Sequence, residues 1–455
     1  MTIFYANIDF KGNQLFLKGR AIEMKKYTVI IIGAGGRGHR YARIIKDLPD
    51  KFEVVAVAEP IKARRDSIQK LFNLPDSACF LGYEEILAQP KMADVAAICT
   101  MDDMHTEPAL KAIELGYNLL LEKPVAQTAE ECVAIARAAE KKDVSVLVCH
   151  VLRYAPFYKT VKKIVMDGVL GDVMSVIAVE AVGNIHQSHS YVRGDWHREG
   201  ETTPMLLAKC CHDLDIIQWI LDKSCKKVTS FGELSYFKPE NAPKGAPRRC
   251  YENECPVRED CPYSCDKVYL ADNSSDWMQR TAARGYSNDF WPTYDEVKKG
   301  LANTNFGACV FYANNDVVDH QVVNMEFEGG VTASLTMNAF NKGGRYIRLF
   351  GTKGELYANA NDTEITVWDF NTKETKKYPV SKTEESIAGG HGGGDNGIVA
   401  ELYDYLGDNY RGYCAADIEI SVKNHMIGFA AEQARHNNTV EDIKEYCDKL
   451  GFKYN

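Results

Sequence analysis

No apolar run in this chain of 455 residues nears the roughly 20 residues that a membrane-spanning helix needs. Met1 to Glu23 lacks an apolar core of the length a secretory signal requires. A surplus of basic charge is missing too: 54 Lys and Arg stand against 63 Asp and Glu, a formal charge of −9. Nucleic acid and anionic membrane are thereby excluded as main partners. Without a secretory signal, the 14 cysteines read as reduced cytosolic thiols or metal ligands, not as a disulfide framework. What remains is an ordinary soluble composition, 45% hydrophobic and 26% charged. It is long enough for roughly two or three domains, and the cytoplasm is its expected place.

Met1 to Glu23 also carries no clear period, and Met24-Lys25-Lys26 directly precedes the first strand-like run. Residues 1–23 are therefore expected to be an extension, with Met24 as the native start. A natural N-terminal arm is the alternative.

From Tyr27 onward the pattern is sharp. A β-branched run, Val29 to Ile32, meets Gly33-x-Gly35-x-x-Gly38, and a helical pattern follows. Strand, glycine turn and helix are the parts of a dinucleotide-binding unit. Gly33 permits the tight turn, Gly35 lets the backbone approach a pyrophosphate, and Gly38 lets helix and strand pack. Gly36 and Arg37 sit where the helix N-terminus offers N–H groups to phosphates. Phe52 to Glu59 reads as the next parallel strand. Glu59 stands at its end, where a carboxylate accepts from ribose hydroxyls and repels a 2′-phosphate. NAD is thus favoured over NADP, although Lys62, Arg64 and Arg65 follow closely. Strand-like Ala93 to Thr100, Asn118 to Leu121 and Val144 to Cys149 alternate with helical stretches. That alternation implies a doubly wound parallel sheet over residues 24–150. Gly33, Glu59, Thr100 and Lys123 fall at the C-terminal strand ends, where such sheets bind ligands.

The glycine turn, Glu59, Thr100 followed by His105, and above all Glu122-Lys123-Pro124 resemble the glucose–fructose oxidoreductase/inositol dehydrogenase (Gfo/Idh/MocA) family. Arg153-Tyr154, after the last strand of this half, is similar to that family's domain crossover. The resemblance implies a Rossmann domain joined, over residues 151–455, to an α/β domain with a large open, mostly antiparallel sheet. It implies NAD(P), a sugar, cyclitol or polyol substrate, and Lys123 facing the nicotinamide side of the pocket. Relatives that cleave glycosidic bonds by transient oxidation, with no net redox change, are part of the same picture.

The second half supplies the other candidates. Gly183 to Arg198 reads as a loop dense in His, aromatic and Arg side chains, a mixture that suits polyol recognition. His189, Tyr191, Arg193 and Trp196 are its candidates for substrate contact, with Arg153, Asp215 and His391 from elsewhere. Thr203-Pro204 reads as a helix start, and the helix is expected to run through Ile220. At about 100° per residue, Lys209, His212 and Asp213 share one face. Asp215, three residues after His212, is placed to orient the imidazole. The resemblance implies an Asp four residues before this His, but Ala208 stands there with Lys209 beside it. Lys209 facing Lys123 would make one of them neutral, able to take a hydroxyl proton with His212 as relay. The alternative is a plain Lys209–Asp213 pair.

Residues 238–301 read as an insertion. It holds Cys250-x4-Cys255-x5-Cys261-x3-Cys265 in a stretch too polar to fold alone. Structural zinc on these four thiolates would supply the missing folding energy. Free thiols, an iron–sulfur cluster and disulfides stay open, since no CxxC pair is present. Tyr286, Phe290, Trp291 and Tyr294 are expected to pack the insertion onto the sheet. Gly389 to Asp395 reads as a mobile glycine loop carrying His391.

The whole reads as an α/β NAD-dependent oxidoreductase of a carbohydrate-like small molecule, expected to be a homo-oligomer because an open sheet needs covering. An NAD-dependent glycosidase and a non-catalytic nucleotide sensor are its rivals.

Overall fold

The computed structural model describes residues 10–11, 14–17, 20–23, 25–380, 390–407 and 410–454. The backbone of Phe10–Lys11, Gln14–Leu17 and Arg20–Glu23 forms three short antiparallel strands of its own. The nucleotide half begins with β1 (Tyr27–Ile32), whose Val29 to Ile32 are all buried. Burial on both faces is what a central parallel strand requires. Five parallel neighbours follow: β2 (Phe52–Ala58), β3 (Cys79–Phe80), β4 (Val95–Ile98), β5 (Asn118–Leu121) and β6 (Val146–Val148). Their order is β3-β2-β1-β4-β5-β6. The chain reverses direction across the sheet between β1 and β4, and ligands bind at such switch points. Helix α1 (Gly36–Lys46) starts from the glycine turn at this point.

The second half is built on nine strands: β7 (Val173–Ala181), β8 (Cys225–Glu233), β9 (His320–Phe327), β10 (Thr332–Asn338), β11 (Gly344–Gly351), β12 (Gly354–Asn359), β13 (Glu364–Asp369), β14 (Glu374–Pro379) and β15 (Glu441–Asp442). Their order is β14-β13-β12-β11-β7-β10-β9-β8-β15, with β7 and β10 parallel and the other neighbours antiparallel. Alternation divides the faces. Val176, Leu349, Leu356 and Val367 point into the core, and on this side α2 (Cys211–Leu221) packs on β7 and β10 and α4 (Ile418–Asn437) on β8. Ile177, Phe231, Tyr357 and Trp368 stand exposed on the other face. No helix of the described residues is long and apolar enough to cross a membrane.

Five local expectations change. The helix expected through Ile220 is two pieces, Met205–Ala208 and α2, bent at Lys209-Cys210. The loop expected over Gly183 to Arg198 is instead largely helical: Asn184–His186 leads into a π-type turn, Gln187–Arg193, whose seven residues are all buried. The insertion is not too polar to fold. Tyr251, Val268, Tyr269, Met278, Val297 and Leu301 form a small core of their own. Its aromatic residue Phe290 packs not on the sheet but on α1, stacked on His39 at 3.7 Å between ring centroids. Part of the glycine stretch is ordered into α3 (Gly394–Tyr405). The side chain of His391 lies outside the described residues.

A buried ion pair joins the halves. Arg153, just after β6, donates through Nε and Nη2 to Asp215 of α2 at 2.8 and 2.6 Å. Asn424 of α4 donates to the same carboxylate. Arg153 and Asp215 are 2% and 0% exposed. Removing one partner strands the other charge in the core. Asp215→Ala is therefore expected to cost about 3–5 kcal/mol of stability, read from urea denaturation. A loss under about 1 kcal/mol, in the range of an exposed pair, would show that this junction does not depend on the pair.

Candidate active site

Between the halves lies a cavity of about 510 Å³, lined from one side by the C-terminal rim of the parallel sheet. The three glycines of the turn are not equivalent. Gly33 holds φ +87°, and a Cβ there would lie 2.7 Å from the Cys99 carbonyl oxygen. A Cβ on Gly38 would lie 2.0 Å from the Gly33 oxygen. Both glycines are demanded by the protein's own packing. At Gly35 and Gly36 the nearest atoms are only arginine tips, Arg64 at 3.6 Å and Arg280 at 3.7 Å. These two glycines keep the floor of the cavity low, which is what a closely approaching phosphate needs. The first turn of α1 has no side-chain cap and no acidic residue, which leaves its N–H groups available to an anion in the cavity. A dinucleotide fits these features.

Glu59 is buried beneath the turn. Its Oε2 accepts from the Ala34 N–H at 2.7 Å and its Oε1 from the Ile61 N–H at 3.0 Å. A carboxylate has further lone pairs for ribose hydroxyls. Arg37 reaches across α1 to Glu122 (Nε to Oε1, 2.7 Å) and to Asp395 of α3 (Nη2 to Oδ1, 2.8 Å). Tyr41 also donates to Glu122, at 2.6 Å. Burial alone would raise the Glu122 carboxyl, but the Arg37 and Lys123 cations outweigh it and hold it below its ordinary range.

Lys123, next in the chain, points the other way. Its Nζ donates to the Ala208 carbonyl at 2.8 Å. In a continuous helix that oxygen would accept from the His212 N–H. The bend after Ala208 frees it for Lys123, and the same bend turns Lys209 away from the face it was expected to share with His212. The Lys209 ammonium lies 3.6 Å from Glu180 of β7, and Asp213 pairs instead with Arg345 of β11 at 2.9 Å. Arg345 also pairs with Glu180 at 2.7 Å. Burial lowers Lys209, Glu180 opposes that, and the Arg345 and Lys123 charges add to the lowering. Lys123 and His212 line the cavity, whereas Lys209 does not.

The remaining expected residues divide. Thr100, His189, Trp196 and Glu122 line the cavity with Gly33, Gly35, Gly36, Arg37 and Glu59. His189 bonds the Tyr269 hydroxyl at 3.0 Å, and burial pushes its imidazole down to about 3. Trp196 donates to Asp102 at 2.9 Å. His105 is fully buried, its ring nitrogens 2.7 and 3.2 Å from the Pro124 and Thr100 carbonyl oxygens, so it braces the rim from below. Tyr191 is packed beside Trp196 and His186, behind the cavity wall. Arg153 and Asp215 engage each other away from the cavity, so Asp215 does not orient His212. Arg193 is spent on the Ala308 and Tyr263 carbonyls and faces the insertion's cysteines.

Several residues of the wall had no local signal. Trp277, Arg280, Arg284 and Phe306 reach the cavity from the insertion and its flank, and Asp102 from the nucleotide half. Arg284 pairs with Asp195 through both nitrogens. Glu180 and Arg345 lie on strands far apart in sequence. Behind His212 sits His150, 6.0 Å away between centroids, and then His425 at 5.6 Å from His150.

A family model described as the oxidoreductase family, NAD-binding Rossmann fold, matches residues 27–150. One described as that family's C-terminal alpha/beta domain matches residues 162–417. YteT of Bacillus subtilis, named as an oxidoreductase, is 24% identical over 394 residues, 82% of this chain and 88% of that protein. The 2,7-anhydro-N-acetylneuraminate hydratase of Escherichia coli is 23% identical over 202 residues, 44% of this chain and 51% of that one. A solved levoglucosan dehydrogenase in complex with NADH and L-sorbose shares the fold, with a TM-score of 0.63 at 16% identity over 92% of this chain and 99% of that one.

Two outcomes follow from the geometry. Gly38→Ala is expected to destabilise the fold by about 3 kcal/mol or more through overpacking, whereas Gly35→Ala leaves the melting temperature within a few degrees and weakens NADH binding. Calorimetry and NADH fluorescence titration check this, and equal melting losses in both would contradict it. Burial also holds His150 at about 4, and His189 and His425 at about 3, against an ordinary 6.5. Unfolding at acid pH then takes up protons that the fold refuses. Stability is full above 6.5 and falls as pH drops towards 4. Urea midpoints at pH 7, 6 and 5 measure the slope, and His150→Asn is expected to reduce it.

Proposed function

The chain belongs to the oxidoreductase family built from an NAD-binding Rossmann domain and a C-terminal α/β domain, and from that premise we propose that it moves a hydride between a nicotinamide cofactor and a hydroxyl-bearing carbon of a sugar, cyclitol or related polyol. The observation that carries this reading is the meeting of Lys123 and His212, one from each half, in the cavity whose opposite wall is the glycine turn. Bound nicotinamide supplies the hydride acceptor or donor. NAD is the preferred form, because the Glu59 carboxylate under the turn repels a 2′-phosphate.

Lys123 Nζ, tethered to the Ala208 carbonyl, has N–H donors left for the substrate oxygen. It holds the reacting hydroxyl and stabilises the negative charge that grows on it. His212 lies within the same cavity wall and takes or relays the proton. Lys209 acts as a positioning residue. It adjoins Ala208, and its pairing with Glu180 fixes the bend that frees the Ala208 carbonyl. His189 and Trp196 supply a neutral imidazole and a ring face for a polyol. Sugar-like chemistry is supported by the relatives: the hydratase and the levoglucosan dehydrogenase both carry sugar derivatives in their names.

The hydratase relative favours a second reading on the same scaffold, transient oxidation followed by elimination with no net redox change. His189, neutral and in the cavity wall, would serve as the second base. Aryl glycosides separate the two: aglycone release on catalytic NAD, without accumulating NADH, selects the second.

Lys123→Ala and His212→Ala are each expected to lower kcat/KM by about 10²–10⁴-fold, with NADH binding kept. Near-normal turnover of a sugar or cyclitol panel by Lys123→Ala would remove this assignment. We also propose a homo-oligomer assembled through the bare sheet face, where Ile177, Phe231, Tyr357 and Trp368 are exposed. Light scattering is expected to give a multiple of 51.0 kDa, reduced towards the monomer by Ile177→Asp with Tyr357→Asp. A wild-type monomer would refute the oligomer.

A further inference from the structure

Away from the interdomain cavity, the insertion and the segment after it enclose a second, smaller cavity. Four cysteines line it: Cys250, Cys255, Cys261 and Cys309. The rest of the wall is mostly apolar, with Val257 and Phe311 prominent, and Arg193, Arg258 and Ser264 are its polar members. Cys265, the fourth thiol of the sequence cluster, does not line it. We propose that Cys250, Cys255, Cys261 and Cys309 form a tetrathiolate metal centre, with Cys265 outside the ligand set.

The backbone brings the distant ligand in. Cys309 follows the insertion's last helices, yet its N–H donates to the Arg248 carbonyl at 3.0 Å, and the Cys250 N–H donates to the Gly307 carbonyl at 2.9 Å. A short antiparallel bridge between Arg249 and Ala308 thus brings Cys250 and Cys309 to one short ladder, one on either side of the bridged pair. Cys265 stands against Cys250, side chain to side chain, but does not line the cavity. Its sulfur lies 3.6 Å from the Phe306 carbonyl, within the insertion's own core. Its backbone N–H donates to Cys250 Sγ at 3.2 Å, the kind of N–H···S bond that supports a ligating sulfur.

Charge gives a second, independent argument. Arg193 is 2% exposed, and its Nε and Nη2 donate to carbonyls. Nη1 has no hydrogen-bond partner among the described residues, and no carboxylate pairs with this guanidinium there. A buried cation needs a counter-charge. Four thiolates around a divalent ion, or around a cluster core of charge 2+, carry a net charge of about −2. Such a centre in this cavity would neutralise Arg193.

Soft all-sulfur sets hold zinc or iron–sulfur clusters. No three of the four thiols bring their sulfurs within 4.8 Å of one another. Four sulfurs about 2.3 Å from one zinc lie closer together than that. A single zinc would draw the thiols inward, and a cluster would fill the space between them. The consequence reaches the other cavity, because Arg280 and Arg284 belong to this insertion.

The full-length chain, purified anaerobically and dialysed, is the material to test. Metal analysis, acid-labile sulfide and the visible spectrum are expected to give stoichiometric zinc without sulfide, or iron with matching sulfide; either supports the centre and names its kind. Cys265→Ala is expected to keep the metal, and Cys309→Ala to lose at least about tenfold. Trace metal in the wild-type chain, or loss in Cys265→Ala with retention in Cys309→Ala, overturns the proposal. Should Cys309→Ala fail to fold, alkylation of the wild-type chain decides. Protection of Cys309 that a chelator abolishes supports the centre, and alkylation indifferent to the chelator overturns it.

Discussion

The guanidinium of Arg37 is the point on which the rest of the site depends. It sits in the first turn of α1, directly after the glycine turn, and bridges Glu122 and Asp395. Three stretches of chain meet there: the nucleotide turn, the end of β5, and the start of α3. Each carboxylate is at most 4% exposed, so neither tolerates loss of the cation. Glu122 is thereby fixed, and the direction of Lys123 follows from it. A residue beside the glycine turn thus helps to hold Glu122, and with it the neighbouring Lys123 on the far side of the cavity.

The other end is set by a carbonyl. Lys123 is held by the Ala208 oxygen, not by a carboxylate. Where the family resemblance leads one to expect an Asp, the chain supplies a backbone acceptor and moves its acids one layer back. Glu180 and Asp213 there balance Lys209 and Arg345, two anions against two cations. Every member is largely buried, so each pays for desolvation with a partner. The arrangement leaves the cavity side of α2 to His212, whose neighbours His150 and His425 are neutral imidazoles under the same burial. Lys123 and His212 are thus the basic side chains that the two halves bring to this end of the cavity.

What could be read from the chain alone divides along sequence distance. The parallel sheet was legible because its signals are local: β-branched runs, a glycine turn, acids and lysines at strand ends. The rim residues Gly33, Glu59, Thr100 and Glu122 came with it. The bend at Lys209-Cys210 was not legible, since the groups that meet it, Lys123 on the Ala208 carbonyl and Glu180 against Lys209, come from far away in sequence. Periodicity over Met205 to Ile220 is helical, and the bend interrupts it. Arg345 and Glu180 were invisible for the same reason, as ordinary charged residues on strands. His189 and Trp196 were found by composition, but composition also nominated Tyr191 and Arg193, which the buried π-type turn directs elsewhere. A dense stretch of polar and aromatic side chains marks a region, and the backbone decides which of them face the ligand.

The insertion shows how such a region gains a second purpose. At one end Arg193 and the cysteines share a cavity; at the other Phe290 lies on His39 and Arg280 stands over Phe290, 4.6 Å from its ring centroid. Arg280 therefore reaches the floor of the glycine turn, and Arg284 the same cavity, from a segment that is no part of the nucleotide domain. Under the proposed function, cofactor affinity would depend on how firmly that piece is held. Its own apolar core holds the helices Asp276–Ala282 and Tyr294–Asn303 together. The largely exposed segment Glu252–Asp260, between the cysteines, contributes little to that core. That segment is where added cross-linking has most conformational freedom to remove, so the thiols lie where the fold has fewest other means of holding its shape.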